Sequence, residues 1–217
     1  MFSLRASLPL CTLALTACLV TPVAIAPVAE ASTTTKAARA AQPRPVTLVE
    51  LEKAAGHKIK TGQTVVLKTS KGTVEIVLFP KEAPKTVENF LKLTRRGFYD
   101  GTTFHRVIPG FVSQGGDPLS KTQPAGDPQI GTGGPGWNIP DEHGNGLKHL
   151  PGVVAMAHSA APNSAGSQFY ITHGPIPHLD GGYTIFGLVT KGFEHAVAFQ
   201  ATDQGGKPDR ILKATVR

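Results

Sequence analysis

The chain has 217 residues, 40% of them hydrophobic and 17% charged, with a formal net charge of +7; that balance suits one folded domain with a sizeable core and attached tails. The basic residues are spread along the sequence, and runs such as Lys58-Ile59-Lys60 and Arg95-Arg96 lack the clustering and interleaved aromatics of a nucleic-acid surface, so no nucleic-acid partner is expected. Cys11 and Cys18 are the only cysteines, which leaves the rest of the chain without a disulfide, a thiolate nucleophile or a Cys-based metal site.

In chain order, the first feature is an N-terminal leader. Met1 to Arg5 carries one positive charge, and Leu8 to Val20 is apolar, the pattern of a secretory signal. Pro9, Pro22 and Pro27 interrupt the run, which argues against a spanning helix of about 20 apolar residues. Ala29-Glu30-Ala31 is an A-x-A cleavage site, whereas Leu15-Thr16-Ala17-Cys18 resembles a lipobox that would lipidate Cys18 and tether the protein to a membrane. Residues 19–29 stay largely apolar, which favours cleavage near Ala31 and a soluble form exported to the periplasm or cell envelope. Residues 32–45 hold few large apolar side chains and read as a tether. Val46 to Ala55 shows a weak helical pattern through Leu48, Leu51 and Ala55, suited either to packing on a domain edge or to nothing structural.

From residue 62 onward the signals strengthen. Thr64 to Lys68 and Thr73 to Phe79 are β-rich runs around the turn composition Thr69-Ser70-Lys71-Gly72, a hairpin with Val74, Ile76 and Leu78 inward. Pro84 suits a first helical turn, Val87, Phe90 and Leu91 recur at i, i+3, i+4, and Gly97 supplies a stop. Further strands are expected at 104–107, 111–114, 153–157, 167–172, 184–189 and 211–216, with a short helix at 193–199. Short strands and two helices among 24 Gly and 18 Pro predict an all-β fold, a closed eight-stranded antiparallel barrel capped by two α-helices. Pro118 to Pro151 is a long Gly/Pro-rich loop, and loops of that length are often functional.

Several familiar chemistries fail on context. Gly131-Thr132-Gly133-Gly134-Pro135-Gly136 fits G-x-G-x-x-G, but Trp137-Asn138-Ile139-Pro140 cannot open the helix that a dinucleotide site needs, so it reads as a tight surface loop. Asp141, Glu142, His143 and His149 are the nearest approach to a ligand cluster, without the H-E-x-x-H spacing; no metal or cofactor is expected. There is no G-x-S-x-G elbow, and Ser167 reads as a strand residue with a hydrogen-bonded hydroxyl.

The segment from Phe104 to Asp117, FHRVIPGFVSQGGD, is different. It places Arg106, Phe111 and Gln114 on two short strands joined by Pro109-Gly110, a guanidinium and an amide beside an apolar floor if they share a face. Its plainest alternative is a barrel hairpin with Phe111 in the core and Arg106 in water. The string resembles the signature of cyclophilins. Met156-Ala157-His158-Ser159, the run Asn163 to Ile171, Leu179-Asp180-Gly181 and Phe186-Gly187 are similar to that family's later motifs, in order, over residues 62–217. The connection GFYDGTT resembles bacterial members.

The resemblance implies a peptidyl-prolyl cis-trans isomerase domain over 62–217, with proline-containing segments of exported proteins as partners and a monomer as default. Arg106, Phe111 and Gln114 match the family's catalytic positions. Val112, Ala157, His158, Ser159, Gln168, Tyr170, His178, Leu179 and Tyr183 match the proline pocket and the groove for preceding residues. Here His178 stands for a tryptophan of the best-known members, Tyr183 for a histidine, Tyr170 for a phenylalanine, Val112 for a methionine and His158 for an asparagine. The missing tryptophan argues against tight cyclosporin binding. A barrel that holds proline segments without turning them over would keep the fold, but the intact trio favours catalysis.

Overall fold

The computed structural model describes residues 44–202 and 205–217; the leader, both cysteines and the first part of the tether lie outside the described residues. The strands are β1 (Thr64–Thr69), β2 (Thr73–Leu78), β3 (Arg106–Ile108), β4 (Val112–Gly115), β5 (Val153–Met156), β6 (Phe169–Thr172), β7 (Ile185–Lys191) and β8 (Ile211–Val216). They form one antiparallel sheet in the order β3-β4-β6-β5-β7-β2-β1-β8. The first hairpin forms where Thr69 and Gly72 close the turn, Thr69 Oγ1 donating to the Gly72 carbonyl at 2.7 Å. Val74, Ile76 and Leu78 all point inward and are fully buried.

The expected closed barrel is instead an open half-barrel. Among the described residues, the outermost strands β3 and β8 share no ladder, and the isolated bridge Thr103–Arg210 joins the segments just before them. The cause is the offset of β3. The stretch that meets β8 is 101–104, where Phe104 N–H donates to Asp209 and the Thr102 carbonyl accepts from Ile211, both at 2.8 Å; β3 begins only at Arg106, beyond reach of a continued ladder. The free edge of β3 is not bare. Val107 N–H donates to Thr202 Oγ1 at 2.8 Å, and the Val107 carbonyl accepts from Thr202 N–H at 3.3 Å.

Among the described residues there are three α-helices, one more than the capping pair expected: α1 (Leu48–Ala55), α2 (Pro84–Arg95) and α3 (Phe193–Val197). Helix α2 starts at Pro84 and stops before Gly97, whose φ of 67° is left-handed. Ala83 offers no side-chain cap, so Glu142 serves from the long loop, accepting from Lys85 N–H at 3.0 Å and Thr86 N–H at 2.8 Å. Helix α1 has a capping box between Thr47 and Glu50, with Arg44 paired to Glu50 at 2.7 Å, and it buries Leu51 completely. The weak pattern at 46–55 therefore packs on the domain.

Alternation along the strands sorts the apolar residues into two clusters. The inner one is built around Phe90, Phe104, Tyr99, Phe169 and Phe186, with α2 and α3 contributing Val87, Phe90, Phe193 and Ala196. Its rings meet edge-on or tilted: Phe90 lies 5.3 Å from Phe169 at 83° and 4.9 Å from Phe186 at 59°. The outer cluster contains Leu51, Phe79, Val112, Leu147, Val153, Ala155, Tyr170, Ile185 and Leu188, so α1 covers the face of the sheet opposite the inner core.

Candidate active site

Register places the site. Arg106 stands opposite Gln114 across β3 and β4, Gln114 opposite Tyr170 on β6, and Tyr170 opposite Ala155 on β5. Partners directly across an antiparallel ladder share a face, so these side chains form one row on the outer side of the sheet. Val107, Ser113 and Ile171, one position away, point inward. The Pro109-Gly110 turn carries the chain over, with Gly110 at φ 76°, and delivers Phe111 beside Arg106. The guanidinium carbon of Arg106 sits 5.7 Å from the Phe111 ring centroid, and the imidazole of His178 lies parallel to that ring at 6.0 Å and 6°.

A cleft of about 180 Å³ opens over this row, lined by Arg106, Phe111, Val112, Gln114, Ala157, His158, Tyr170, Leu179 and Tyr183. A neighbouring cleft of about 380 Å³ shares Gln114, Ala157 and His158 and adds Ser159, Gln168 and the glycine loop 131–134. All twelve residues singled out in the sequence therefore lie in these two clefts or, for His178, against a wall of the first. Phe111 is half-buried at the cleft and belongs to the edge of the outer cluster, not to the inner core.

Hydrogen bonds fix the polar wall. Gln114 Nε2 donates to Gln168 Oε1 at 3.0 Å, and Gln168 Nε2 donates to the carbonyls of Gly131 and Gly133, each at 2.9 Å. The G-x-G-x-x-G string is thus a wall of the groove. It is held from beneath by Asp117, fully buried, whose Oδ2 accepts from the N–H of Gly131 and of Gly133. A Cβ at Gly133 would lie 2.1 Å from Asp117 Oδ1, so only glycine fits above that carboxylate. His158 places Nδ1 2.6 Å from the Ser159 carbonyl and Nε2 2.8 Å from the Gly182 carbonyl, and it stacks on Tyr183 at 4.4 Å. It braces the loop after β5 to the loop before β7.

The apolar wall is buried more deeply. Tyr170 is 4% exposed, and burial raises its phenol pKa, so the hydroxyl stays protonated. His105, beside Arg106, has a pKa lowered by burial.

A family model described as cyclophilin type peptidyl-prolyl cis-trans isomerase/CLD matches residues 64–216. The chain belongs to the cyclophilin-type peptidyl-prolyl cis-trans isomerases. A peptidyl-prolyl cis-trans isomerase of Synechococcus elongatus is 54% identical over 151 residues, 70% of this chain and 94% of that one. Peptidyl-prolyl cis-trans isomerase B of Bacillus subtilis is 50% identical over 139 residues, 64% of this chain and 89% of that one. A crystal structure of a Cryptosporidium parvum cyclophilin in the presence of the dipeptide Ala-Pro superposes with a TM-score of 0.63 at 33% identity, covering 71% of this chain and 99% of that one. This cyclophilin is accordingly an isomerase of Xaa-Pro peptide bonds.

Three residues around the site had no assigned role in the sequence reading: Asp117, His149 and Asp180. Of the grouping Asp141, Glu142, His143 and His149, Asp141 and His143 stay near each other at 3.9 Å while the other two turn elsewhere. Asp141 accepts from Asn163 N–H at 2.7 Å, Glu142 caps α2, and His149 turns to Asp180 at 3.0 Å. Ser167 donates to the Gly116 carbonyl at 2.8 Å, just ahead of β6 rather than within it. The signal for Asp117 was its place at the end of the string FHRVIPGFVSQGGD, ahead of a glycine-rich run. For the His149 and Asp180 pair there was none.

Proposed function

We propose that this cyclophilin turns Xaa-Pro bonds without covalent chemistry, Arg106 donating a hydrogen bond to the prolyl nitrogen as the amide twists. Amide resonance sets a barrier of about 18–20 kcal/mol. At the perpendicular geometry the nitrogen is pyramidal and more basic, so a fixed cationic donor binds that state better than either planar one. A guanidinium keeps its charge and its planar fork, which a lysine lacks. Phe111, with Val112, Tyr170, Leu179 and Tyr183, holds the prolyl ring. Gln114, tied to Gln168, and the backbone near Ala157 and His158 hold the peptide carbonyls so that rotation is confined to one bond. Ser159 and His178 border the residues flanking the proline.

The observation that carries this reading is the cross-strand row Arg106, Gln114, Tyr170 beside a cleft whose lining also includes Phe111, Val112 and Leu179. Binding of a proline peptide is supported by the Cryptosporidium parvum relative studied with Ala-Pro. The leader over residues 1–31 supports export and clients that fold after export. Cleavage near Ala31 gives a soluble monomer, and lipidation of Cys18 is the membrane-bound alternative. The isomerase unit spans 62–217, with 32–61 as its N-terminal extension.

The test is NMR exchange spectroscopy on a short Xaa-Pro peptide with purified protein. Arg106→Ala is expected to lower kcat/KM at least about tenfold, equivalent to about 1.4 kcal/mol of transition-state stabilisation. An unchanged rate in a variant with native circular dichroism overturns the donor role.

A further inference from the structure

We propose that His149 is a positioning residue of the isomerase, a single buried imidazole that ties the two walls of the proline cleft together. The inference rests on the cleft being the catalytic one, as argued above.

The His149 side chain is fully withdrawn from solvent. Its Nδ1 lies 3.0 Å from Asp180 Oδ1, and its Nε2 lies 2.9 Å from the Tyr170 hydroxyl. A carboxylate only accepts, so Nδ1 carries the ring proton; burial disfavours a second proton, so Nε2 is a bare acceptor and the Tyr170 O–H donates to it. The order of donors is fixed: Tyr170 to His149 to Asp180. For Asp180, partial burial works to raise the pKa, but the backbone and ring N–H of His149, with Lys148 at 3.6 Å, outweigh it and the net shift is downward.

The two partners belong to different walls. Tyr170 stands in the middle of the sheet, between Gln114 and Ala155. Asp180 follows the short 3-10 helix Pro177–Leu179, which presents His178 and Leu179, and it precedes the turn to Tyr183. That loop has no strand ladder of its own. Residue 149 grips it at both ends through the backbone as well: the His149 carbonyl accepts from Ile176 N–H at 2.8 Å, and His149 N–H donates to Asp180 Oδ1 at 2.8 Å. The ring also stacks on Tyr170 at 6.0 Å and meets Tyr183 edge-on at 6.4 Å. Losing the imidazole leaves the Tyr170 hydroxyl without its acceptor and Asp180 with only the backbone N–H of residue 149 and Lys148, and it frees the Leu179 wall to drift from the Tyr170 wall.

Walls that hold the prolyl ring act on planar and twisted states alike, so loosening them raises KM and spares kcat. In His149→Leu, which keeps the backbone bonds, KM for an Xaa-Pro peptide is expected to rise at least about fivefold with kcat within about twofold. His149→Gln, carrying one donor and one acceptor, is expected to recover part of the loss. Nitrogen-15 NMR of the wild-type ring should show the Nδ1–H tautomer, with protonation displaced to lower pH than in an ordinary imidazole. Asp180→Asn should redistribute the tautomers.

An Nε2–H tautomer or an unchanged KM in folded His149→Leu overturns the proposal. If His149→Leu fails to fold, the tautomer and Asp180→Asn measurements decide it. An Arg106→Ala variant of full activity would instead sink the donor assignment, and peptide titration against His149→Leu would still report whether the ring sets the cleft.

Discussion

The inner and outer faces of the sheet are built from alternate residues of the same strands, yet they do different work. The inner cluster is apolar and closed, with Phe90, Tyr99, Phe104, Phe169 and Phe186 all fully buried. The outer cluster holds Leu51, Val153 and Leu188 under α1 at one end, and at the other it grades into half-exposed Phe111, Leu179 and Tyr183. One face supplies stability, and the other spends part of its apolar surface on a cleft. The lesson is that a single period of two along β4 and β6 separates the packed core from the cleft: Ser113 and Ile171 go in, Gln114 and Tyr170 go out.

The sharpest way to break this division is Phe90→Ala. Removing that ring from the inner cluster should cost about 3–5 kcal/mol in urea unfolding, while kcat/KM per folded molecule stays at the wild-type value. A variant of unchanged stability, or one that folds and loses activity, contradicts the separation.

Acid should probe the buried imidazoles next. Burial holds the His173 ring at a pKa of about 4; Ser113 and His173 are hydrogen bonded at 2.7 Å, and Ser113 donates onward to the Ala196 carbonyl in α3. The ring protonates near pH 6.5 in the unfolded chain, so its stabilising share is whole above about pH 6.5 and is lost as pH falls toward 4, on the order of 3 kcal/mol. Unfolding free energies that stay flat over that interval would reject the assignment, and His173→Gln should remove its share of the slope, leaving that of His149 and His105, whose pKa values burial also lowers.

The smallest of the three effects belongs to the outer face. Leu51→Ala should lower stability by about 2 kcal/mol if α1 is part of the folded unit, measured by the same unfolding. A loss below about 0.5 kcal/mol, the scatter of ordinary surface substitutions, would make α1 a passive appendage.

Much of this was legible in the sequence, for identifiable reasons. Val74, Ile76 and Leu78 alternate strictly, and Val87, Phe90 and Leu91 recur at helical spacing; both patterns report burial directly. The row that includes Arg106 and Gln114 came from a motif. What escaped depends on register or on distance along the chain. Whether the outermost strands close turns on the offset of β3 by two residues from Phe104, which no propensity encodes. His149 and Asp180 are 31 residues apart and meet only after β6 and the 3-10 helix are in place. Leu51 looked weak because the cluster it joins, with Phe79, Leu147 and Leu188, is assembled from later segments.

Thr202 has a consequence for handling peptide substrates. A machine that receives extended polypeptides risks becoming their template, since a naked sheet border invites intermolecular zippering and aggregation. By occupying both main-chain groups of Val107, one threonine blunts the border that carries the arginine. A visiting chain is thereby offered a grip on its side chains but no backbone to polymerise upon, and it can leave once it has turned.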